Sequence, residues 1–245
     1  MDRKSFIVNE YSKYWAKARV NIYGFMEYDK NLCEYICKNV PGGSKLLEVG
    51  IGTGYPFADY LQKHGYIIHG IDISPLLIKK CKELNPEIIC KVGDAESLEY
   101  ENRSFDCTYC FHSTWYFPDL KKVIDEMVRV TRKGGLVIFD IQNRNNPEIA
   151  NKFRKHIFYT RGAGRLIRYA KNIAKILLKR GVQHWGSTVW ETPTYPEEIY
   201  NHLSSKNLTN YKILARKDDD SLEIQTKIES PSTYKRLIFT IIQSS

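Results

Sequence analysis

Short apolar runs of strand length alternate with longer amphipathic segments over the first 143 residues of this chain. Strands that alternate with helices predict a parallel sheet with helices packed against it. In such a sheet, ligands bind at the carboxyl ends of the strands. The predicted strands comprise residues 46–49, 66–71, 87–92, 105–111 and 136–141.

Helices are predicted before and between these strands. Residues 5–39 have helical character and many aromatic side chains. Ser74 and Pro75 favour the start of a helix that runs to residue 84, because serine caps helix N-termini and proline suits the first turn. Another helix is predicted over residues 119–130. These segments supply the layers that the sheet needs on its two faces.

The pattern changes after residue 143. Residues 164–180 place aliphatic side chains on one helical face and Lys and Arg on the opposite face, which predicts an amphipathic helix within an insertion. Strand and helix order resumes with a predicted helix over residues 195–203. Further strands are predicted near residues 211–215, 222–228 and 237–242.

The formal charge of +9 is concentrated in one segment. Residues 152–180 contain ten Lys and Arg and no acid, and the remaining 27 basic and 28 acidic residues nearly cancel. A nucleic-acid surface spread over the whole molecule is therefore not indicated.

Other compositional features favour a cytoplasmic protein without a metal. No apolar run approaches the length of a membrane span, and residues 1–5 lead into no signal-peptide core. Of the six cysteines, Cys107 and Cys110 are three apart in a predicted strand. Side chains at that spacing point to opposite faces, so this pair is not expected to bind a metal.

The first strand runs into a glycine-rich loop, Glu48-Val49-Gly50-Ile51-Gly52-Thr53-Gly54. Glycine lets a ligand approach the backbone closely. The dinucleotide fingerprint G-x-G-x-x-G would need glycine at position 55, which is Tyr55. Asp72 ends the second strand, where an acid can hold two ribose hydroxyls. The alternative is a tight turn without a ligand.

At Glu48–Gly54 the chain resembles the class I S-adenosylmethionine (SAM) dependent methyltransferases, whose first motif is E/D-x-G-x-G-x-G. Arg132-Lys133-Gly134-Gly135, predicted as a turn, is similar to another landmark of that family, so the resemblance covers residues 44–143. It implies an α/β fold: a Rossmann-like, mostly parallel, seven-stranded sheet with helices on both faces. The helical basic insertion would follow the fifth strand.

The resemblance also implies SAM as the cofactor and a set of binding residues. An acid such as Asp94 would bind the adenine amino group, and the backbone amide of Ala95 would meet a ring nitrogen. Helices before the first motif often close over the cofactor in this family; a helix that only covers the sheet edge is the other interpretation of residues 5–39. The predicted cofactor-binding residues are Glu48, Gly50, Gly52, Gly54, Asp72, Ile73, Asp94, Ala95 and Phe111.

We expect one domain over residues 1–245. Its predicted parts are a helical cover (1–40), the SAM-binding core (44–143), the helical insertion or lid (144–194) and a C-terminal helix with strands (195–245).

Methyl transfer from a sulfonium is an in-line displacement, so the protein must chiefly align donor and acceptor and exclude water. A hydroxyl or amine acceptor can still need a base. His112, just past the fourth strand, is the candidate, with Tyr116 and His156 as weaker ones. Packing beside the cofactor is the alternative role for His112. The predicted substrate contacts are Tyr11, Tyr14, Trp115, Tyr116 and Asn143.

The residues after the fourth strand also bear on the acceptor. Similar amino-methylating enzymes of DNA and RNA place N/D-P-P-aromatic there, whereas this chain has Cys110-Phe111-His112-Ser113 and no Pro-Pro. A flipped base is therefore disfavoured. The resemblance is to small-molecule and lipid-quinone methyltransferases, which predicts methyl transfer to an oxygen or nitrogen of such an acceptor. A non-catalytic SAM- or nucleotide-binding module and an RNA methyltransferase are the alternatives.

The basic helix over residues 164–180 allows three interpretations. It is a packed surface helix, a lid over the entry path of an acidic substrate, or a helix lying at an anionic membrane surface. The last of these predicts a cytoplasmic protein that is peripheral to the membrane and meets a lipid-linked acceptor there.

Overall fold

A computed structural model describes residues 3–18, 24–161, 191–225 and 232–243, together with Gly164, Leu166, Ile167 and Ala170. Within these residues one sheet has the spatial order β3-β2-β1-β4-β5-β8-β6-β7. Its strands are β1 (Lys45–Val49), β2 (Ile67–Asp72), β3 (Ile89–Val92), β4 (Phe105–Cys110), β5 (Thr131–Gln142), β6 (Tyr211–Arg216), β7 (Leu222–Gln225) and β8 (Arg236–Ile242).

The sheet is mostly parallel, as predicted. β1 to β5 pair in parallel, β8 runs antiparallel to both β5 and β6, and β6 therefore shares the direction of β5. The predicted number of seven strands is wrong by one in the described part of the chain. A tight turn, in which Lys217 N–H donates to Ser221 O at 3.0 Å, folds β7 back onto the outer edge of β6.

Helices lie before, between and after the strands. Ser74 Oγ accepts the Leu77 N–H at 3.3 Å, so the predicted N-cap is confirmed. Asp119 caps the helix that follows it, since its Oδ1 accepts the Lys121 N–H at 3.1 Å. The helices are α1 (Arg3–Phe6), a π-helical turn (Ile7–Tyr11), α2 (Ser12–Ala18), α3 (Glu27–Asn39), α4 (Phe57–Lys63), α5 (Pro75–Leu84), α6 (Leu120–Val130), α7 (Pro147–Arg161) and α8 (Pro196–Ser205).

Two predicted boundaries are corrected. The helical stretch 5–39 is interrupted, because Met26 has an extended backbone (φ −80°, ψ 158°) and forms the N-cap of α3 with Asp29. The predicted turn Arg132–Gly135 belongs to β5. There the pairing with β4 shifts between Phe105 and Cys107, and the resulting bulge uses Gly134 at φ +71°.

Both faces of the sheet are covered. Leu46 and Leu47 are adjacent in β1, fully buried, and belong to the apolar clusters on opposite faces. Cys107 and Cys110 likewise lie in the two different clusters, which confirms that they point apart. All six cysteines are free. This double burial explains why the strands read as nearly continuous apolar runs.

The insertion begins with α7. Most of the predicted basic helix 164–180 lies outside the described residues, and so does the side chain of His156. None of the helices described here has both the length and the apolar character to cross a membrane.

Candidate active site and cofactor pocket

A pocket of about 910 Å³, counted to its open mouth, lies at the carboxyl ends of β1, β2 and β4. Eleven predicted cofactor, substrate and catalytic residues, together with six of their immediate neighbours along the chain, supply most of its wall. The predicted residues among its lining are Tyr11, Glu48, Gly50, Gly52, Asp72, Ile73, Asp94, Ala95, Phe111, His112 and Tyr116.

The glycine loop folds tightly over the end of β2. The N–H groups of Gly50 and Ile51 both donate to Ile71 O at 2.9 Å. Gly50 has φ +79°, and a Cβ there would lie 2.7 Å from Ser113 Oγ, so a larger residue would be strained and would clash. Gly54 does not line the pocket: a Cβ there would lie 2.8 Å from Asn85 Nδ2, at the end of α5.

Asp72 projects from the end of β2 into the pocket. Its Oδ2 accepts the Gly52 N–H at 3.0 Å and its Oδ1 accepts the Ser74 N–H at 2.9 Å. Burial raises the pKa of Asp72 to about 6, and these two backbone N–H groups oppose that rise. The carboxylate is thus fixed in place and has a pKa close to neutral pH.

Glu48 is buried at the end of β1 and accepts a hydrogen bond from Tyr109 Oη at 3.0 Å. Thr53, in the glycine loop, is 1% exposed, and no described residue forms a hydrogen bond with its Oγ1. Buried hydroxyls are usually paired. Thr53 Oγ1 therefore offers a polar ligand an available group at the wall of the pocket.

Asp94 follows β3 and is held by the N-terminal helix. Lys4 Nζ lies 2.6 Å from Asp94 Oδ2 and 2.8 Å from Glu96 Oε2. Partial burial works to raise the pKa of Asp94, but the hydrogen bonds from Lys4 and from the Glu96 N–H outweigh it, and the pKa lies below its ordinary value. The carboxylate is ionised at neutral pH.

The N-terminal helices form one wall of the pocket. Four residues of these helices line it at a spacing of three or four positions: Lys4 in α1, Ile7 and Tyr11 in the π-helical turn, and Trp15 in α2. A Cβ at Gly52 would lie 3.7 Å from Trp15 Nε1, so this indole sits over the glycine loop. The N-terminal helices therefore border the pocket, and their closure over the cofactor stays a prediction.

Tyr11 and Tyr116 contact each other inside the pocket. Tyr11 Oη donates to Tyr116 Oη at 2.7 Å, and Tyr116 Oη donates to Glu191 Oε1 at 3.3 Å. Burial is the main cause that raises the pKa of Tyr116, followed by the neighbouring Glu191 carboxylate. Tyr116 is therefore neutral over the physiological range.

His112 lies at the end of β4 in the left-handed region, with φ +57°. Its N–H donates to Asp140 Oδ1 at 2.8 Å. Its Nε2 lies 3.2 Å from Asp29 Oδ1 and 3.9 Å from Asp140 Oδ2. The ring stacks on Tyr28, with a centroid distance of 5.8 Å.

Two predicted substrate contacts lie outside the lining of the pocket. Trp115 is 4% exposed, and its ring packs under the Arg236 guanidinium at 4.0 Å. Asn143 Nδ2 donates to Tyr234 O at 2.8 Å and ties the end of β5 to the segment before β8. The side chain of Tyr14 lies outside the described part of the chain.

The sequence interpretation missed several polar residues at this site: Lys4, Asp29, Asp140 and Glu191. Asp140 interrupts the apolar strand 136–141, and that charge among aliphatic residues was a readable signal. Lys4, Asp29 and Glu191 carried no comparable signal, because each approaches the site from a distant part of the chain.

Comparison with known proteins agrees with this geometry. Residues 47–139 match the family model described as a methyltransferase domain. The 2-methyl-6-phytyl-1,4-hydroquinone methyltransferase of Synechocystis sp. is 31% identical over 118 residues, which cover 46% of this chain and 37% of that protein. Methyltransferase GfsG of Streptomyces halstedii is 28% identical over 189 residues, covering 74% of this chain and 68% of that protein.

A solved SAM-dependent methyltransferase from Thermotoga maritima has the same fold, with a TM-score of 0.63 and 16% identity over 99% of this chain and 100% of its own. Residues 47–139 thus match a methyltransferase domain, and this match together with the shared fold supports a class I SAM-dependent methyltransferase, a class whose cofactor is SAM. The predicted family and cofactor are confirmed.

Proposed function

We propose that this protein transfers the methyl group of SAM to an oxygen or nitrogen atom of a small-molecule or lipid-linked acceptor. The observation that carries the proposal is that residues of the glycine loop, Asp72, Asp94 and His112 all line one pocket. These residues are distant in sequence, and each occupies a strand end where ligands of α/β folds bind.

The residues present fit SAM. Asp72 offers a carboxylate to ribose hydroxyls, Asp94 offers one to the adenine amino group, and Glu48 offers one to the cationic end of the ligand. Thr53 Oγ1 adds a buried hydroxyl that no described residue pairs. When bound, SAM supplies a methyl group on an already activated carbon.

The other side of the pocket suits an acceptor with apolar character. Tyr11, Tyr116 and Phe117 line it, and their rings would exclude water and align the acceptor. In this proposal His112 accepts the proton of the acceptor. The relative from Synechocystis acts on a hydroquinone that carries a phytyl chain, which supports an aromatic or lipid-linked acceptor.

Transfer of a radioactive methyl group from labelled SAM tests the proposal. The wild-type protein is incubated with pooled small-molecule, lipid and RNA fractions, and the labelled product is identified by mass spectrometry. We expect label in a small-molecule or lipid fraction, and its loss in Asp72→Ala. SAM binding without transfer to any fraction would favour the non-catalytic module, and label only in RNA would favour an RNA methyltransferase.

We also propose that residues 164–180 hold the protein near an anionic bilayer, where a lipid-linked acceptor would be found. Leu166 is 76% exposed and Ile167 is 47% exposed. Aliphatic side chains that face solvent beside many cations are typical of helices at a membrane surface.

A further inference from the structure

His112 is held from two directions by buried carboxylates. Asp140 Oδ1 accepts its backbone N–H at 2.8 Å and thereby stabilises the left-handed backbone at φ +57°. A non-glycine residue in this region is strained and persists only where the surroundings enforce it. The backbone of His112 is thus fixed where β4 enters the pocket.

The imidazole ring is fixed separately. Tyr28 stacks on one side at 5.8 Å between centroids, with an interplanar angle of 11°, and Phe57 packs edge-on at 5.4 Å. Asp29 Oδ1 lies 3.2 Å from Nε2, in a charge contact whose geometry is not that of a hydrogen bond. Asp29 and Tyr28 are both 0% exposed, so this contact is shielded from bulk water.

The charges around the imidazole ring distinguish Asp140 from Asp29. Asp140 Oδ2 pairs with Arg236 Nη1 at 3.1 Å, and it is 3.9 Å from the imidazole. Burial raises the pKa of Asp140, and Arg236 opposes that rise. Arg216 stacks on the Tyr28 ring at 4.4 Å and pairs with Asp220 at 2.6 Å. Among the described carboxylates, Asp29 is nearer to the imidazole nitrogen Nε2 than Asp140 is, at 3.2 Å against 3.9 Å.

We propose that Asp29 is a positioning residue for His112. The negative charge of its carboxylate, 3.2 Å from Nε2, favours the tautomer of the neutral imidazole that carries the proton on Nε2, and Nδ1 is then the proton acceptor. Asp29 lies on α3, outside the matched residues 47–139, so the proposal assigns a role to the N-terminal part of the chain. It rests on the proposed methyl transfer.

The proton and electron balance follows from this arrangement. As the acceptor oxygen or nitrogen forms its bond to the methyl carbon, the carbon–sulfur bond breaks and its electron pair stays on sulfur. The acceptor proton passes to Nδ1 of His112. Asp29 then faces an imidazolium, which it stabilises by charge until the proton leaves to solvent.

NMR of the ring nitrogens of His112 tests the proposal without an acceptor. In wild-type protein we expect the Nε2–H tautomer to predominate. Asp29→Ala should mix the two tautomers and reduce the protonated fraction of the ring at a given pH, about tenfold for a lost carboxylate neighbour. Asp29→Asn is the second variant, because it keeps the shape of the side chain if Asp29→Ala fails to fold. Glu27→Gln, an exposed change on the same helix, is the matched control and should leave the ring unchanged.

SAM affinity measured by calorimetry should stay within about threefold of wild type in Asp29→Asn, since Asp29 does not line the pocket. An unchanged tautomer ratio and unchanged protonation in the folded Asp29 variants would overturn the positioning role. A wild-type protein that binds SAM but transfers no methyl group would instead overturn the proposed function, while the tautomer result would stand.

Discussion

Asp72 is the residue whose position and ionisation matter most for the cofactor. Both of its oxygens already accept backbone N–H groups, from Gly52 and from Ser74. Those two bonds fix the carboxylate at the end of β2 before any ligand arrives. A ligand hydroxyl therefore meets an acceptor that needs little further ordering.

Asp72→Ala should weaken SAM binding by about 1–3 kcal/mol, because ligand hydroxyls would lose their acceptor in a partly buried site. Calorimetry with SAM measures this directly. Glu83→Ala is the control, since Glu83 is an exposed acid on α5 outside the pocket lining. Wild-type affinity in Asp72→Ala would exclude Asp72 from the site.

SAM affinity should also depend on pH. The pKa of Asp72 is raised to about 6 by burial, so the group is neutral below that pH and charged above it. Ribose hydroxyls donate best to the ionised carboxylate. Between pH 7 and pH 5 we therefore expect the dissociation constant to rise below about pH 6, approaching about tenfold per pH unit if only the ionised form binds.

Asp72→Asn supplies the control for this pH dependence, since an amide does not titrate. The SAM affinity of this variant should be weaker than that of the wild type and should not change between pH 7 and pH 5. An equally steep profile in Asp72→Asn would assign the titration to another group.

At the scale of elements, the N-terminal helices and the glycine loop both border the pocket and lie against each other at Trp15 and Gly52. The helix face is fixed by Lys4, which pairs with Asp94 and Glu96, and by the Tyr11–Tyr116 hydrogen bond. The ion pairs of Lys4 and the hydrogen bond of Tyr11 join α1 and the π-helical turn to loops at the carboxyl edge of the sheet. The cover is thus attached to the same loops that we propose hold the adenine.

Lys4→Gln should speed the release of SAM by several fold, because it removes an ion pair to each of two acids at the rim. Stopped-flow fluorescence of the tryptophans near the pocket reports the rate. Lys13→Gln is the matched control: Lys13 lies in α2 and pairs with Glu10 at 3.8 Å, with both side chains largely exposed. Equal rates in both variants would mean that Lys4 does not hold the cover closed.

At the scale of the whole molecule, the charge is very unevenly distributed. The excess of positive charge comes from residues 152–180, and the rest of the chain is close to neutral. An electrostatic partner should therefore recognise one segment rather than the entire surface.

Anionic vesicles should bind the protein at low salt and release it at high salt, because each Lys or Arg near such a surface contributes about 1 kcal/mol and salt screens that attraction. Changing Arg168, Lys171 and Lys175 to Glu should abolish co-sedimentation. The same change to Glu at three exposed lysines of α5 and α6 is the control and should leave most of the co-sedimentation with anionic vesicles. These lysines are Lys79, Lys82 and Lys121. Negligible binding to neutral and anionic vesicles alike would refute the membrane proposal.

The sequence by itself determined the order of helices and strands through Gln142. It also determined which residue types occupy the loops that follow the first strands. Double burial makes the central strands apolar throughout, caps such as Ser74 fix where helices begin, and the loop Glu48–Gly54 needs its glycines at fixed spacing. Each of these requirements acts on residues that are adjacent in the chain, so the local sequence was sufficient to predict them.

Only the tertiary structure decided which distant side chains share the site. Asp29 meets His112 across 83 positions of sequence, and Lys4 meets Asp94 across 90. Gly54 and Asn143, both predicted at the site, instead support its framework through α5 and the segment before β8. A strand near residues 222–228 was predicted from the sequence, but its pairing with the outer edge of β6 likewise depended on how the chain turns back. Such pairings arise from how the elements pack, and packing joins residues that no local sequence pattern connects.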